Sequence, residues 1–221
     1  NLLGSDCMDS NTMDFKVSKF TRELSNSGCA IHDALYCDFH KINLPFVGTA
    51  YCCFGMNMNT QIGAEMQDED PLKVIHYAVG SHSDDGSRNN SNVEALKIKF
   101  FKVRQFPVDL AKVLPNLKFI EFKNSELKEI PSESFEKFKE LLAVDLSHNL
   151  IEEIPEKLFS HNRKLISINL SDNQLSKISL DLTMNHNHLN FVYLSGNLCI
   201  NEIAVDASEF KEMVKKLKQK C

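Results

Sequence analysis

Cysteine and histidine side chains in two parts of the chain could bind a metal. The two groups are Cys37, His40, Cys52 and Cys53 near the front, and His186 and His188 near the back. Thiolate sulfur and imidazole nitrogen are the ligands that zinc prefers in proteins. The spacing matches no familiar zinc module, and disulfides account for the same cysteines with fewer assumptions. We therefore expect neither a metal site nor a cofactor.

Catalysis has little support in the sequence. The chain contains no nucleophile-elbow motif, no glycine-rich phosphate loop and no HExxH pair. Cysteine–histidine chemistry would require a thiolate beside a base. Seven cysteines leave at least one without an intramolecular partner, and a disulfide between two chains explains that thiol more simply than a nucleophile does. We expect a protein that is not an enzyme.

Apolar residues recur with a fixed period of 24 residues. Three columns share this period: Val93, Leu117, Leu141, Leu165 and Leu189; Leu96, Ile120, Val144, Ile168 and Val192; and Ile98, Phe122, Leu146, Leu170 and Leu194. The last two columns are two residues apart, which indicates short strands with one buried face. A fixed period predicts that each strand stacks on the previous one, because one unit cannot bury its apolar side alone.

A polar column follows the strands at the point where the chain must turn. Asn149, Asn173 and Asn197 occupy it, Ser125 stands at the same position in the second unit, and Phe101 in the first. An amide side chain both donates and accepts hydrogen bonds, so it can satisfy backbone groups that the turn would leave buried. Serine can do part of this and phenylalanine cannot, so the first unit is predicted to be irregular.

These columns, with the recurring Ile-Pro and phenylalanine positions, resemble the leucine-rich-repeat family in its 24-residue form, LxxLxLxxNxLxxIPxxxF. The resemblance covers residues 93–200. It implies an α/β solenoid, a horseshoe of about five coils with parallel strands on the concave side. Its apolar ends require caps, and the family's secreted members close such caps with disulfides.

The front, residues 1–92, is interpreted as an N-terminal extension and cap. A helix is expected after Asn11 or Thr12, with Cys7 and Cys29 as possible partners. The stretch "ALYCDFHKINLPFVGTAYCCF" predicts a hairpin closed by Cys37–Cys53 or Cys37–Cys52. Residues 72–79 are expected to form a strand beside the first repeat strand, followed by a mobile loop.

The back, residues 201–221, is predicted to be a capping helix. Phe210, Met213 or Val214, and Leu217 share one helical face. A disulfide between Cys199 and Cys221 would hold this helix over the last coil. The beginning of a coiled coil is the competing interpretation, but two apolar turns are too few for it.

The concave face is the predicted binding surface. Its candidate residues are Lys97, Lys99, Phe119, Glu121, Lys123, Asp145, Asn169, Phe191 and Tyr193. The face grades from basic through polar to aromatic, and exposed aromatic side chains are favoured at binding sites. The competing interpretation is that the aromatic residues pack under the caps. Asn89 and Asn169 begin glycosylation sequons, and a glycan on Asn169 would block this face.

Composition and resemblance together suggest a secreted recognition protein. The net charge of −5 gives no basic face for nucleic acid, no apolar run is long enough to span a membrane, and the cysteines suggest an oxidising compartment. A chain that begins at Asn1 is what removal of a signal peptide would leave. The set "YAVGSH…NV…FP..L...LPNL" resembles secreted leucine-rich-repeat proteins of dipteran haemolymph, which implies innate immunity.

The expected partner is another protein or an extracellular glycan, and the odd cysteine could link two chains. Two alternatives stay open: a structural extracellular protein that assembles with itself, and an intracellular leucine-rich-repeat adaptor whose cysteines are all reduced.

Overall fold

The structure is a computed structural model that describes residues 34–55, 77–79, 90–99, 103–179, 182 and 187–221. The expected N-terminal helix with Cys7 and Cys29, the sequon at Asn89, and His186 lie outside the described residues. In chain order the elements are β1 (Ala34–Leu44), β2 (Gly48–Gly55), β3 (Tyr77–Val79), a 3-10 turn (Asn90–Asn92), β4 (Ala95–Lys99), α1 (Leu110–Val113), β5 (Phe119–Lys123), β6 (Ala143–Asp145), β7 (Glu153–Ile154), β8 (Ser167–Asn169), β9 (Lys177–Ile178), β10 (Phe191–Tyr193), β11 (Ile203–Ala204) and α2 (Ala207–Lys220).

The repeat strands form one parallel sheet in the register that the 24-residue period predicts. Strands β4, β5, β6, β8 and β10 lie side by side, and Leu96, Ile120, Val144, Ile168 and Val192 pair in sequence along them. With the caps, the described sheet has the order β11-β10-β8-β6-β5-β4-β2-β1-β3. Two short strands, β7 and β9, pair separately in the return segments.

The core is continuous from one cap to the other. The apolar columns are buried in a single cluster that includes Cys37 and Cys53 at the front and Met213 and Leu217 at the back. Phenylalanine rings run through the return segments, with the Phe135 and Phe159 centroids 5.0 Å apart and stacked. Each coil therefore buries its apolar face against its neighbours, as a repeat of this size requires.

The asparagine column satisfies the turns as predicted. Asn149 Oδ1 accepts from the backbone N–H of Ser125 at 2.8 Å and of Leu127 at 3.2 Å. Its Nδ2 donates to the carbonyl oxygens of Phe122 and Leu146 at 2.7 and 2.9 Å. Each asparagine thus joins its own turn to the preceding coil, and Asn173 and Asn197 repeat the pattern.

The sharp change of direction lies one residue before each of Ser125, Asn149, Asn173 and Asn197. The residues there, Asn124, His148, Asp172 and Gly196, all have a positive φ, between 53° and 70°. Asparagine, histidine and aspartate tolerate the left-handed region better than other side chains do, and glycine has no side chain to oppose it. The asparagine that follows holds the turn by hydrogen bonds but does not itself carry the unusual backbone angle.

The C-terminal cap matches its prediction. Asp206 is the N-cap of helix α2. Its carboxylate accepts hydrogen bonds from the backbone N–H groups of Ser208 and Glu209, at 2.7 and 2.9 Å. Met213 and Leu217 are buried under it, and the Cys199–Cys221 disulfide ties its end to the last coil.

The N-terminal cap differs from the prediction in its strand order. Strand β2 pairs with the first repeat strand β4, β1 pairs with β2, and β3 lies beyond β1. Residues 77–79 of the expected strand therefore do not lie beside the first repeat, because the hairpin is inserted between them. The hairpin is closed by Cys37–Cys53, and the alternative Cys37–Cys52 pairing is wrong, since alternation along β2 turns Cys52 to the opposite face.

No helix in the described part of the chain is long and apolar enough to cross a bilayer.

Candidate functional site

The concave face of the sheet consists of three rows of side chains that cross the repeat strands. The first row is Ala95, Phe119, Ala143, Ser167 and Phe191, and the second row is Lys97, Glu121, Asp145, Asn169 and Tyr193. The third row, two residues further along each strand direction, is Lys99, Lys123, Ser147, Ser171 and Ser195. The structure therefore brings all nine predicted binding residues onto one face.

The tip of the β1–β2 hairpin covers the first row. We call residues 41–51 the arm. Leu44, Ala50 and Cys52 form a buried cluster with Ala95, Phe119 and Ala143 of the sheet. At the far end of the row, the ring of Phe46 lies 4.9 Å from that of Phe191. The arm thus runs across the strands from β4 to β10.

Because the arm lies over the first row, the expectation for Phe119 is corrected. Its ring was predicted to be exposed on the concave face, yet only 9% of the residue is accessible. The competing interpretation, that aromatic residues pack under a cap, holds for Phe119, and Phe191 is partly covered in the same way by Phe46. The open part of the face is therefore the second and third rows, except for the buried Glu121 and Ser147.

The N-terminal part of this open surface carries a cluster of opposite charges. Lys97 Nζ lies 3.5 Å from Glu121 Oε2, and Lys99 Nζ lies 3.3 Å from Glu121 Oε1. The Lys99 contact is an ion pair without hydrogen-bond geometry, since Oε1 is buried and accepts no hydrogen bond. Lys97 Nζ also lies 5.6 Å from the centroid of Phe119, a cation–π contact. With Lys123 beside them, this end keeps an excess of positive charge.

The basic end that the sequence predicts for this face is therefore reduced, because Glu121 neutralises one of its positive charges.

The middle of the open surface is polar and ordered by local hydrogen bonds. Asp145 Oδ1 accepts from the backbone N–H and the hydroxyl of Ser147, at 3.0 and 2.6 Å. Asn169 Oδ1 accepts from Ser171 in the same way, at 3.1 and 2.7 Å. The two side chains of the sequon are therefore hydrogen bonded to each other, and occupancy of Asn169 by a glycan stays a prediction.

The C-terminal end of the concave face is apolar. Strand β11 pairs antiparallel with β10 and places Ile203 opposite Tyr193, and the same register brings Val205 toward Phe191. Phe46, Ile203 and Val205 are 41%, 49% and 45% exposed. We call these five residues the C-terminal apolar patch.

Sequence reasoning missed three members of this patch. Alternation in "NEIAVD" could have indicated that Ile203 and Val205 share one face. No sequence signal could place Phe46 there, because its position depends on how the arm folds back.

Other chemical groups give no competing site. Among the residues that the structure describes, no group of three His, Cys, Asp or Glu side chains is placed to hold a metal ion. His188 is exposed. A polar cleft of about 510 Å³ beside the arm is lined in part by Glu94, Lys118 and Glu140. All three of these charges are paired, Lys118 with Glu94 and Glu140 with Lys164.

Comparison with known proteins agrees with this architecture. Residues 140–198 match the family model described as leucine rich repeat, while no curated protein matches the chain by sequence. The APL1 leucine-rich repeat domain is similar in structure, with a TM-score of 0.52 at 17% identity, over 74% of this chain and 36% of that one.

Two other structures are less similar. One is the glycosylated Toll–Spatzle complex of Drosophila, with a TM-score of 0.47 at 19% identity over 56% of this chain and 17% of that one. The other is the TLR13–ssRNA13 complex, with a TM-score of 0.46 at 23% identity over 58% of this chain and 19% of that one. The chain thus spans about a third of the APL1 chain and less than a fifth of each of the other two chains. The register, the asparagine column, the family match and the similarity to the APL1 domain together show the leucine-rich-repeat fold, here a solenoid with a disulfide-bonded element at each described end.

Proposed function

We propose that this chain is a secreted, non-enzymatic recognition protein that binds another protein through the open part of its concave face. The observation that carries the proposal is the C-terminal apolar patch beside charged and polar rows. Large apolar side chains close together on a surface mark interaction sites more often than single exposed ones do. Aromatic anchors flanked by polar groups are the usual composition of a protein-binding surface.

A protein partner fits this surface better than a glycan does. A sulfated glycan would need an array of uncompensated cations, but Lys97 and Lys99 share the carboxylate of Glu121. A protein segment can place an acidic side chain near Lys99 and Lys123 and an apolar one over Tyr193 and Ile203. Such a segment would cross strands spaced about 4.8 Å apart, so about six extended residues would span from β5 to β11.

Secretion is supported by the two disulfides. Cys37–Cys53 and Cys199–Cys221 hold the two caps, and structural disulfides persist in oxidising compartments. The immune context is proposed from the sequence resemblance to dipteran haemolymph proteins. The test is whether mass spectrometry finds the chain in extracellular fluid with both bridges intact.

The binding surface is tested by capture from the native extracellular fluid with the oxidised full chain as bait. Ile203→Asp introduces a charge into the apolar patch, and Val108→Asp introduces the same charge at a residue of similar exposure outside the concave face. We expect a partner, identified by mass spectrometry and then purified, to bind Ile203→Asp at least about tenfold more weakly than wild type, as loss of an anchor does. Equal loss in both variants, or no loss in either, would reject this surface.

Self-assembly is the second candidate function, and the exposed patch is the observation that favours it. A concentration series in light scattering separates the two functions, because assembly raises the mass without any partner. A dimer bridged through Cys52 does not fit the structure, since that thiol is fully buried. The dimer linked through the odd cysteine therefore stays a prediction, and such a dimer should disappear on reduction in denaturing electrophoresis.

A further inference from the structure

The arm is attached to the solenoid at its base and otherwise only by side chains. Strand β2 pairs with β4 at Cys52, Cys53 and Phe54, and the Cys37–Cys53 disulfide fixes the same end. Beyond that point, residues 41–51 pair with each other across the hairpin. Among the described residues, strand pairing between this hairpin and the repeat strands is confined to Cys52, Cys53 and Phe54 with β4.

The contacts under the arm are small compared with those of the core. Leu44 and Ala50 are buried in a cluster with Ala95, Phe119 and Ala143, and the partly buried Ile42 and Val47 pack against it. The farthest contact is the one between Phe46 and Phe191, and Phe46 stays 41% exposed there. An element held by few buried apolar groups, with strand pairing only at its base, opens at a lower free energy than the core does.

We propose that the arm is a hinged cover of the concave face, pivoting at its base near Cys52 and latched by Phe46 on Phe191. Closed, it hides the first row and leaves the second and third rows open. Open, it adds the apolar strip of Ala95, Phe119 and Ala143 to the surface. The regulatory meaning of this motion rests on the proposed function, because the strip is part of the face that would bind a protein partner.

The reactivity of the Cys52 thiol can report the open state of the arm. Cys52 is the unpaired cysteine of the described residues and lies fully buried under the arm, in the cluster with Ala95 and Phe119. Burial also raises the pKa of the Cys52 thiol to about 12, so the closed form holds a protonated, shielded sulfur. Only a thiolate reacts with an alkylating reagent. Labelling of Cys52 at neutral pH therefore requires the arm to lift.

The test measures the rate of Cys52 alkylation by iodoacetamide in the native full chain, with peptide mapping to separate Cys52 from the other cysteines. The variant Phe46→Ala removes the latch and leaves the base intact. We expect labelling about fivefold faster than wild type, as loss of an aromatic pair predicts. The matched control is Ile178→Val, a core truncation in β9 away from the arm, which should not accelerate labelling beyond its effect on global unfolding.

Equal rates in Phe46→Ala and wild type would overturn the hinge. An equal acceleration in Ile178→Val would do the same, because labelling would then follow global unfolding. Neither outcome depends on a partner, so failure of the hinge can be distinguished from failure of the proposed function.

Discussion

At the scale of the residue, each turn of the solenoid depends on one buried amide. Asn149 makes hydrogen bonds to two backbone N–H groups and several carbonyl oxygens that belong to two different coils. Replacing it with alanine leaves these groups buried and unpaired. Since an unsatisfied buried group costs about 1–3 kcal/mol, we expect Asn149→Ala to lower the free energy of unfolding by about 3 kcal/mol in urea denaturation.

The control for that change is Asn190→Ala, because Asn190 is exposed at the edge of a repeat strand. It should change stability by less than about 0.5 kcal/mol, as surface substitutions usually do. A similar loss in both variants would mean that the asparagine column is not what holds the turns.

A second prediction at this scale concerns the pH dependence of stability. Burial raises the pKa of Cys52 from 9.0 to about 12, so the folded chain keeps a proton that the unfolded chain loses above about pH 9. The contribution is fully present below pH 9 and is lost as the pH rises toward 12. Between pH 8 and 10.5, the free energy of unfolding measured in urea should fall more steeply for wild type than for Cys52→Ala. Parallel curves would contradict the burial of this thiol.

The sequence predicted the asparagine column and the concave positions, because both follow from a period that each coil repeats. It left open whether Phe119 is exposed or packed under a cap, and it did not predict that Glu121 is buried. Their positions in the repeat are those of surface residues, and they lose solvent contact only because the arm and the side chain of Lys97 lie over them. A repeat pattern describes contacts between neighbouring coils and contains no information on a segment that folds back across several of them.

At the scale of the element, helix α2 is held by packing and by one covalent link. Met213 and Leu217 are buried against the last coil, and Cys221 follows the helix directly. We expect replacement of both Cys199 and Cys221 by alanine to reduce stability by about 3 kcal/mol, as removal of a link with this separation does. Hydrogen exchange of the α2 amides should accelerate more than that of β6. Uniform acceleration in both would show that the link stabilises the whole chain rather than the cap.

The predictability of the elements also differs between the two ends. The C-terminal helix follows from local signals, since an N-cap aspartate, an apolar face and a terminal cysteine lie within 16 residues. The order of β1, β2 and β3 does not, because each of them could pair with β4 on alternation alone. Tertiary contacts of the hairpin, including the Cys37–Cys53 bridge, decide between these orders.

At the scale of the whole molecule, the coils are coupled to their neighbours in several independent ways. The asparagine column links adjacent turns, and ion pairs such as Lys164–Glu140 and Lys177–Glu153 join residues one period apart. The exposed pairs add little to stability. The continuous apolar core between the two caps is the dominant coupling, and it makes one cooperative unit the expected behaviour.

A core truncation in the central coil tests this coupling. Leu146 is fully buried in the middle repeat, and Leu146→Ala should reduce stability by about 3 kcal/mol through lost transfer energy and a residual cavity. If the core couples the two ends, both unfolding midpoints will shift to the same lower urea concentration. One is the midpoint for exposure of Cys52 at the front, and the other is the midpoint for loss of α2 helicity at the back. Alkylation during urea unfolding reports the first, and far-ultraviolet circular dichroism reports the second. Separate midpoints at the two ends would instead mean that the caps unfold independently, because the nearest-neighbour coupling across β6 is then too weak to join them.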